Sequence, residues 1–285
     1  MADKYISSGV ASPSGVLKTV LFGVLASFIL PIIYIILVRL VPNIWFNGIC
    51  AMLLGVGLGY FIDLGVKIGK IRNFRVAISI AVFCGLLAFY VQWVVFDTIM
   101  YSANGFTFNL STVDIKNLFK DAFFLFTHPG TLFQEIKNLN EIGTFRIEGS
   151  DTVSGAMLWF IWIGEFLVIM TAILFAVGNG QVTKPFSETY DKWMEQRKLV
   201  NRINYINSKD DFLLALSNKN TDLLKHNPEL VDQQNFAEVV VFELPEEQVK
   251  YINVINVNNN VDKKGKVTAK KKNLFTNLRI TNTEV

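Results

Sequence analysis

The sequence predicts a membrane all-α protein: a four-transmembrane-helix bundle with an extracytoplasmic helical link and a C-terminal cytosolic α+β domain. Three observations predict it. The chain of 285 residues is 51% hydrophobic and only 18% charged, where globular chains average about a quarter charged. The apolar residues gather in residues 1–100 and 156–177, as four runs of about 20 residues almost free of charge, which is the length a helix needs to cross about 30 Å of hydrocarbon. After Gly178-Asn179-Gly180 the composition changes, and residues 181–285 carry 16 basic and 14 acidic side chains.

Residues 1–18 form a short tail, predicted to be cytosolic. The first run, residues 19–38, follows Lys4 and Lys18 and is interrupted only by Pro31. It is too long for the apolar core of a signal peptide, and no small-residue cleavage site follows it, so it reads as a first, uncleaved span. Pro31 removes the N–H that would pair with the Ser27 carbonyl and predicts a kink. A tight turn at Pro42-Asn43 leads to a second span over residues 45–66, and a third covers residues 76–99. Within the second, Gly55 and Gly59 form a small-xxx-small pair that admits another helix closely, either span one, span three or a neighbouring molecule. The string GVGLGY there is no dinucleotide fingerprint, because it lies inside an apolar span and lacks the strand-turn-helix setting.

Residues 101–155 form the extracytoplasmic link. Leu118, Phe119, Phe123 and Phe126 are spaced as on a helix over residues 117–127, His128-Pro129-Gly130 stops it, and residues 131–138 start another. These Phe-rich helices are expected to lie on the outer membrane interface or cap the bundle. The fourth span covers residues 156–178. In the C-terminal domain a helix is predicted from Pro185 to about Ile206, another over 210–216 capped by Ser208, and a short one over 221–226. Strands are predicted over 237–243, 249–257 and 273–281, with Gly265 in the turn between the last two.

Orientation follows from lysine and arginine in the short loops. Lys67, Lys70, Arg72 and Arg75 follow span two, and Lys184, Lys192, Arg197 and Lys198 follow span four. The long link holds four basic against six acidic residues. Both basic sites belong in the cytoplasm, and an even number of spans then places both termini there. Trp45, Trp93, Tyr101 and Trp159 fall at the outer interface, as an aromatic belt.

Glu165, near the middle of span four, is the leading candidate site. An ionisable group at that depth is costly and must face protein or water. Gln92 and Tyr34 fall in the same layer, so Glu165 can hydrogen-bond Gln92. The readings are an interhelical hydrogen bond, a proton-conducting or gating acid, or contact with a partner's helix. Asp63 is expected to reach Lys67 one turn on, and Asp97 to reach water. Lys263, Lys264, Lys266, Lys270, Lys271 and Lys272 form a basic patch, read as a solvated hairpin tip, a contact for anionic headgroups or one for an acidic partner. His226 reads as a solvated helix end. Cys50 and Cys84 both lie in apolar runs, which excludes a disulfide scaffold and leaves no thiolate for zinc. No P-loop, HExxH or nucleophile elbow is present, so no catalytic residue, metal or cofactor is expected.

The run Gly69-Lys70-Ile71-Arg72-Asn73, then Tyr90-Val91-Gln92-Trp93, Gly143-Thr144-Phe145, and Pro185-Phe186-Ser187-Glu188 with Trp193, together resemble a group of uncharacterised bacterial multi-pass inner-membrane proteins. The resemblance covers most of the chain and implies a topology without an activity. Some members carry cysteines where this sequence has Ser187 and Tyr190; if those bind a metal, that site is absent here. The expectation is a non-enzymatic inner-membrane subunit that anchors an envelope-associated assembly, of secretion or motility type. Its partners would be the bilayer, protein subunits on both faces and a second copy of itself, but no nucleic acid. The alternatives are a transporter or proton-channel component using Glu165, and a membrane sensor with a ligand-binding cytosolic domain.

Overall fold

The computed structural model describes residues 4–41, 43–102, 115–146, 152–198, 202–218, 224, 234–261 and 267–281. The chain divides into two compact units, residues 9–183 and residues 184–285 together with the N-terminal segment up to Ser8.

The larger unit is built on four long helices: α1 (Pro13–Leu40), α2 (Ile44–Gly69), α3 (Phe74–Ser102) and α6 (Gly155–Gly178), with α4 (Ile115–Thr127) and α5 (Pro129–Ile142) between the last two. All four are long and apolar enough to cross a membrane. Their starts follow local chemistry. Ser12 caps α1 by accepting the Gly15 N–H at 3.1 Å, ahead of Pro13 at the first helical position, where a missing N–H costs nothing. Asn43 accepts the Trp45 and Phe46 amides at the head of α2. Asn73 accepts the Val76 amide at the head of α3 and donates to the Gly9 carbonyl. α1 continues unbroken through Pro31.

Leu58, Ile62, Val66, Cys84, Leu158, Ile169 and Ile173 are buried, while Leu21, Leu25, Leu53, Phe83, Phe160 and Leu167 point outward. Helices this apolar on both inner and outer faces suit a surrounding of lipid. α2 packs against both α1 and α6 along its length. A Cβ on Gly55 would meet the Ile169 carbonyl oxygen at 2.5 Å and the Ala172 methyl at 2.6 Å, and one on Gly59 would meet the Ala176 methyl at 2.6 Å. The close neighbour of this glycine pair is therefore span four, which was not among the three expected. Gly65, further along, faces the Thr19 backbone of α1. Ser27 of α1 bonds across to the Cys84 carbonyl of α3 at 2.9 Å.

α4 and α5 do not simply cap the bundle. Leu125, Leu132, Ile136 and Leu139 join Trp93, Val94, Met100, Leu158 and Trp162 in one buried cluster, so the pair lies alongside α3 and α6. The two-residue strands β1 (Phe145–Arg146) and β2 (Thr152–Val153) close the connection to α6.

The second unit contains β3 (Phe186–Ser187), β4 (Lys192–Trp193), β5 (Glu195–Lys198), β6 (Ile203–Asn204), α7 (Lys209–Ser217), β7 (Asn235–Glu243), β8 (Val249–Val261) and β9 (Val267–Thr281). β3 and β4 pair with each other. The main sheet is antiparallel in the order β5-β7-β8-β9, and β6 continues the β5 edge of β7. One face carries Ile203, Ala237, Val239, Val241, Ile252, Val254, Leu278 and Ile280 beneath Phe212 of α7, whose ring stacks on Phe275 at 5.5 Å. The other gathers Met194, Val240, Phe242, Leu244 and Tyr251. The helix predicted from Pro185 to Ile206 is thus corrected to four short strands. Phe186, Tyr190, Trp193 and Met194 are spaced as on one helix face, but the Ser187 hydroxyl accepts the Tyr190 amide to form a turn, and the free edge of β7 supplies a ladder for 195–198 and 203–204. Ser208 caps α7 through the Asp211 amide. Of the helix predicted at 221–226 only Leu224 is described, and His226 and Gly265 lie outside the described residues.

The N-terminal tail also departs from expectation. Lys4 bridges Leu278 antiparallel, the Tyr5 amide donates to the Asn277 carbonyl at 2.8 Å, and the Tyr5 ring meets Tyr251 edge-on at 5.2 Å. The first residues extend the sheet built by the last ones.

Candidate functional site in the helical unit

Glu165 lies on the stripe of α6 that also carries Leu158, Trp162, Ile169 and Ile173, all buried. This spacing of three and four residues turns its carboxylate toward α1 and α3. Tyr34 Oη of α1 donates to Glu165 Oε1 at 2.8 Å, and Gln92 Nε2 of α3 donates to the same oxygen. The structure therefore brings Tyr34, Gln92 and Glu165 together, three side chains from three helices. Gln92 is 5% exposed, and its Oε1 has no hydrogen-bond partner. Aromatic rings line one side: Trp93 meets Trp162 edge-on at 4.7 Å, and Phe89 tilts against Phe166 at 4.7 Å. Two donors on one oxygen can hold either a carboxylate or a carboxylic acid whose proton sits on the other oxygen. In a dry setting either form glues the helices, and interconversion would move one proton.

Two further acids lie near the ends of α2 and α3. Asp63 Oδ1 accepts the Gln181 amide at 2.5 Å, which ties the 3-10 turn after α6 (Gln181–Thr183) to α2. Asp97, expected to reach water, is 1% exposed and its Oδ1 lacks a hydrogen-bond partner. The packing of α5 over the end of α3 encloses it, with Glu135 as its charged neighbour. Depth counting along α3 could not reveal this, because the cover comes from another element.

In the sheet unit, Lys270, Lys271 and Lys272 are exposed on β9, opposite Asn258, Val257 and Asn256. Lys271 pairs with Glu238 at 3.0 Å. Lys263, Lys264 and Lys266 lie outside the described residues. Tyr190 Oη donates to the Glu246 carbonyl at 2.6 Å, so Ser187 and Tyr190 both serve a turn. Glu243 accepts Arg197 at 2.6 Å and Lys250 at 2.9 Å. The Arg197 hydrogen bond foremost, with Lys250 adding to it, holds the Glu243 carboxyl below the usual glutamate range against a smaller opposing effect of burial. Burial conversely raises the Tyr5 and Tyr251 phenols.

Four helices of this length and apolarity fit a multi-pass membrane protein with a separate C-terminal sheet unit. Comparison of the chain with protein-family models, with curated proteins and with solved structures finds no match.

Proposed function

We propose that this chain is a non-enzymatic multi-pass subunit of the bacterial inner membrane, both ends cytoplasmic, that anchors or scaffolds an envelope-associated assembly of secretion or motility type. The observation carrying the reading is the composition of the sheet unit. It unites residues 4–8 with everything from Lys184 onward, and an even number of crossings in between returns the chain to the side on which it began. Lys67, Lys70, Arg72 and Arg75 after α2, and the basic residues after α6, favour the cytoplasm as that side. The sheet unit is then the platform for cytosolic subunits.

Reporter fusions test the topology. Alkaline phosphatase inserted between residues 103 and 114 is expected to be active, and fused after Val285 inactive; the reverse pattern overturns the orientation. Native co-purification in mild detergent tests the scaffold role. Stoichiometric partners that are lost on deleting residues 184–285 are expected, and recruitment unchanged by that deletion overturns it.

A second reading is favoured by the Tyr34–Glu165–Gln92 site, which would serve a transporter or proton-channel component with Glu165 as its titrating acid. Under that reading Glu165→Gln abolishes flux at normal abundance, whereas under the first it leaves recruitment intact.

A further inference from the structure

The pair α4–α5 reaches far down the sides of the spans. Phe126, at the end of α4, tilts against Phe28 of α1 with ring centroids 5.7 Å apart, and meets Tyr90 of α3 edge-on at 5.3 Å. Phe28 and Tyr90 lie near the middle of their helices. At about 1.5 Å per residue, Tyr90 is about 10 Å inward from Asp97, and Phe28 about 16 Å inward from Arg39. From that depth α5 climbs back, and Asn140 donates to the Gly155 carbonyl at the head of α6 at 2.9 Å.

The sequence of the pair is cut to this path. Between Asp121 and Glu135 the stretch Ala122–Gln134 carries no acidic residue, lysine or arginine. An uncharged, Phe-rich stretch of that length is too short to cross a bilayer and suits a segment that enters and returns. Phe119 and Phe123 are 74% and 71% exposed, and Phe124 and Phe133 also point outward. Inside lipid, a helix end survives only if its backbone groups find partners other than water. Here they do. The Phe126 carbonyl accepts Tyr90 Oη at 2.7 Å. The Leu125 carbonyl accepts the His128 amide at 3.2 Å. The Phe124 carbonyl accepts Thr127 Oγ1 at 3.0 Å and is 2.8 Å from His128 Nδ1. Pro129 then opens α5 without an N–H to satisfy.

We propose that α4–α5 is a re-entrant helical hairpin whose tip, around Thr127–Gly130, sits among the acyl chains of the outer leaflet, with those chains covering Phe119, Phe123, Phe124 and Phe133. This rests on the reading that the four long helices span the membrane. The full chain, reconstituted in vesicles of phosphatidylcholine and phosphatidylglycerol, carries a nitroxide at one of four substitutions: Phe123→Cys, His128→Cys, Lys116→Cys or Leu167→Cys. The unsubstituted protein, whose two cysteines are buried, is the blank. Power saturation against oxygen and against a water-soluble nickel chelate reads depth. Labels at 123 and 128 are expected to collide severalfold less with nickel than the label at 116, with 128 the deeper of the two. Leu167, on the outer surface of α6, reports the span itself. Nickel access at 123 and 128 equal to that at 116, with 167 shielded, overturns the hairpin alone. Nickel access at 167 as well overturns the spanning reading and the hairpin with it.

Discussion

Glu165 receives two hydrogen bonds on one oxygen, so its replacements separate gluing from titration. Glu165→Ala leaves Tyr34 Oη and Gln92 Nε2 buried without an acceptor, and a cost of about 1–3 kcal/mol for each unsatisfied group is expected. Glu165→Gln keeps a carbonyl acceptor and should stay within about 1 kcal/mol of the parent. Thermal unfolding in detergent, followed by circular dichroism, checks the order. Equal losses for both variants would show that the carboxylate itself matters. Glu243 makes a prediction about pH. Its folded carboxyl titrates below its ordinary value of 4.5 because Arg197 and Lys250 favour the charged form, so its contribution is present above that value and fades as pH falls through the folded one. Glu243→Gln should therefore be less stable than the parent at neutral pH, and the difference should vanish in acid. A difference that persists below the titration of both states would assign the effect to packing.

At the scale of elements, the Gly55/Gly59 seam is the most exposed to error. A methyl at Gly55 runs into the Ile169 carbonyl, a backbone atom that cannot swing aside, so Gly55→Ala should separate α2 from α6 at a cost of about 1–3 kcal/mol. Gly164→Ala meets open space and should be silent in the same unfolding assay; equal effects at both sites would mean the seam is not close-packed. The N-terminal strand makes a parallel case. Tyr5→Ala removes a half-buried ring from Tyr251, together with the hydroxyl that accepts the Phe186 amide at 3.3 Å. Faster hydrogen exchange in β8 and β9 is expected, and unchanged protection would reduce residues 4–8 to a passive tail. Neither feature was fully legible. The glycine spacing announced a close approach without naming its partner. Nothing in KYISS distinguishes a strand from a tail, since its ladder is provided by residues more than 270 positions away.

Across the whole molecule, what could be read directly was what depends on composition and short periods. The four long helices appear from length and apolarity alone, because a lipid surrounding asks only for an uninterrupted helix and internal hydrogen bonds. The strands β7, β8 and β9 and the Ser208 cap were readable for the same local reason. The layer shared by Tyr34, Gln92 and Glu165 followed from counting depth, since helix rise is constant. Tertiary structure decided the rest. It converted the segment after Pro185 from helix to strands by offering the edge of β7, enclosed Asp97 beneath α5, brought span four to the glycine seam, and joined the two ends of the chain in one sheet. Each of these depends on a partner distant in sequence. The energy of a contact belongs to the pair, and one strand of residues carries no record of which surface will meet it.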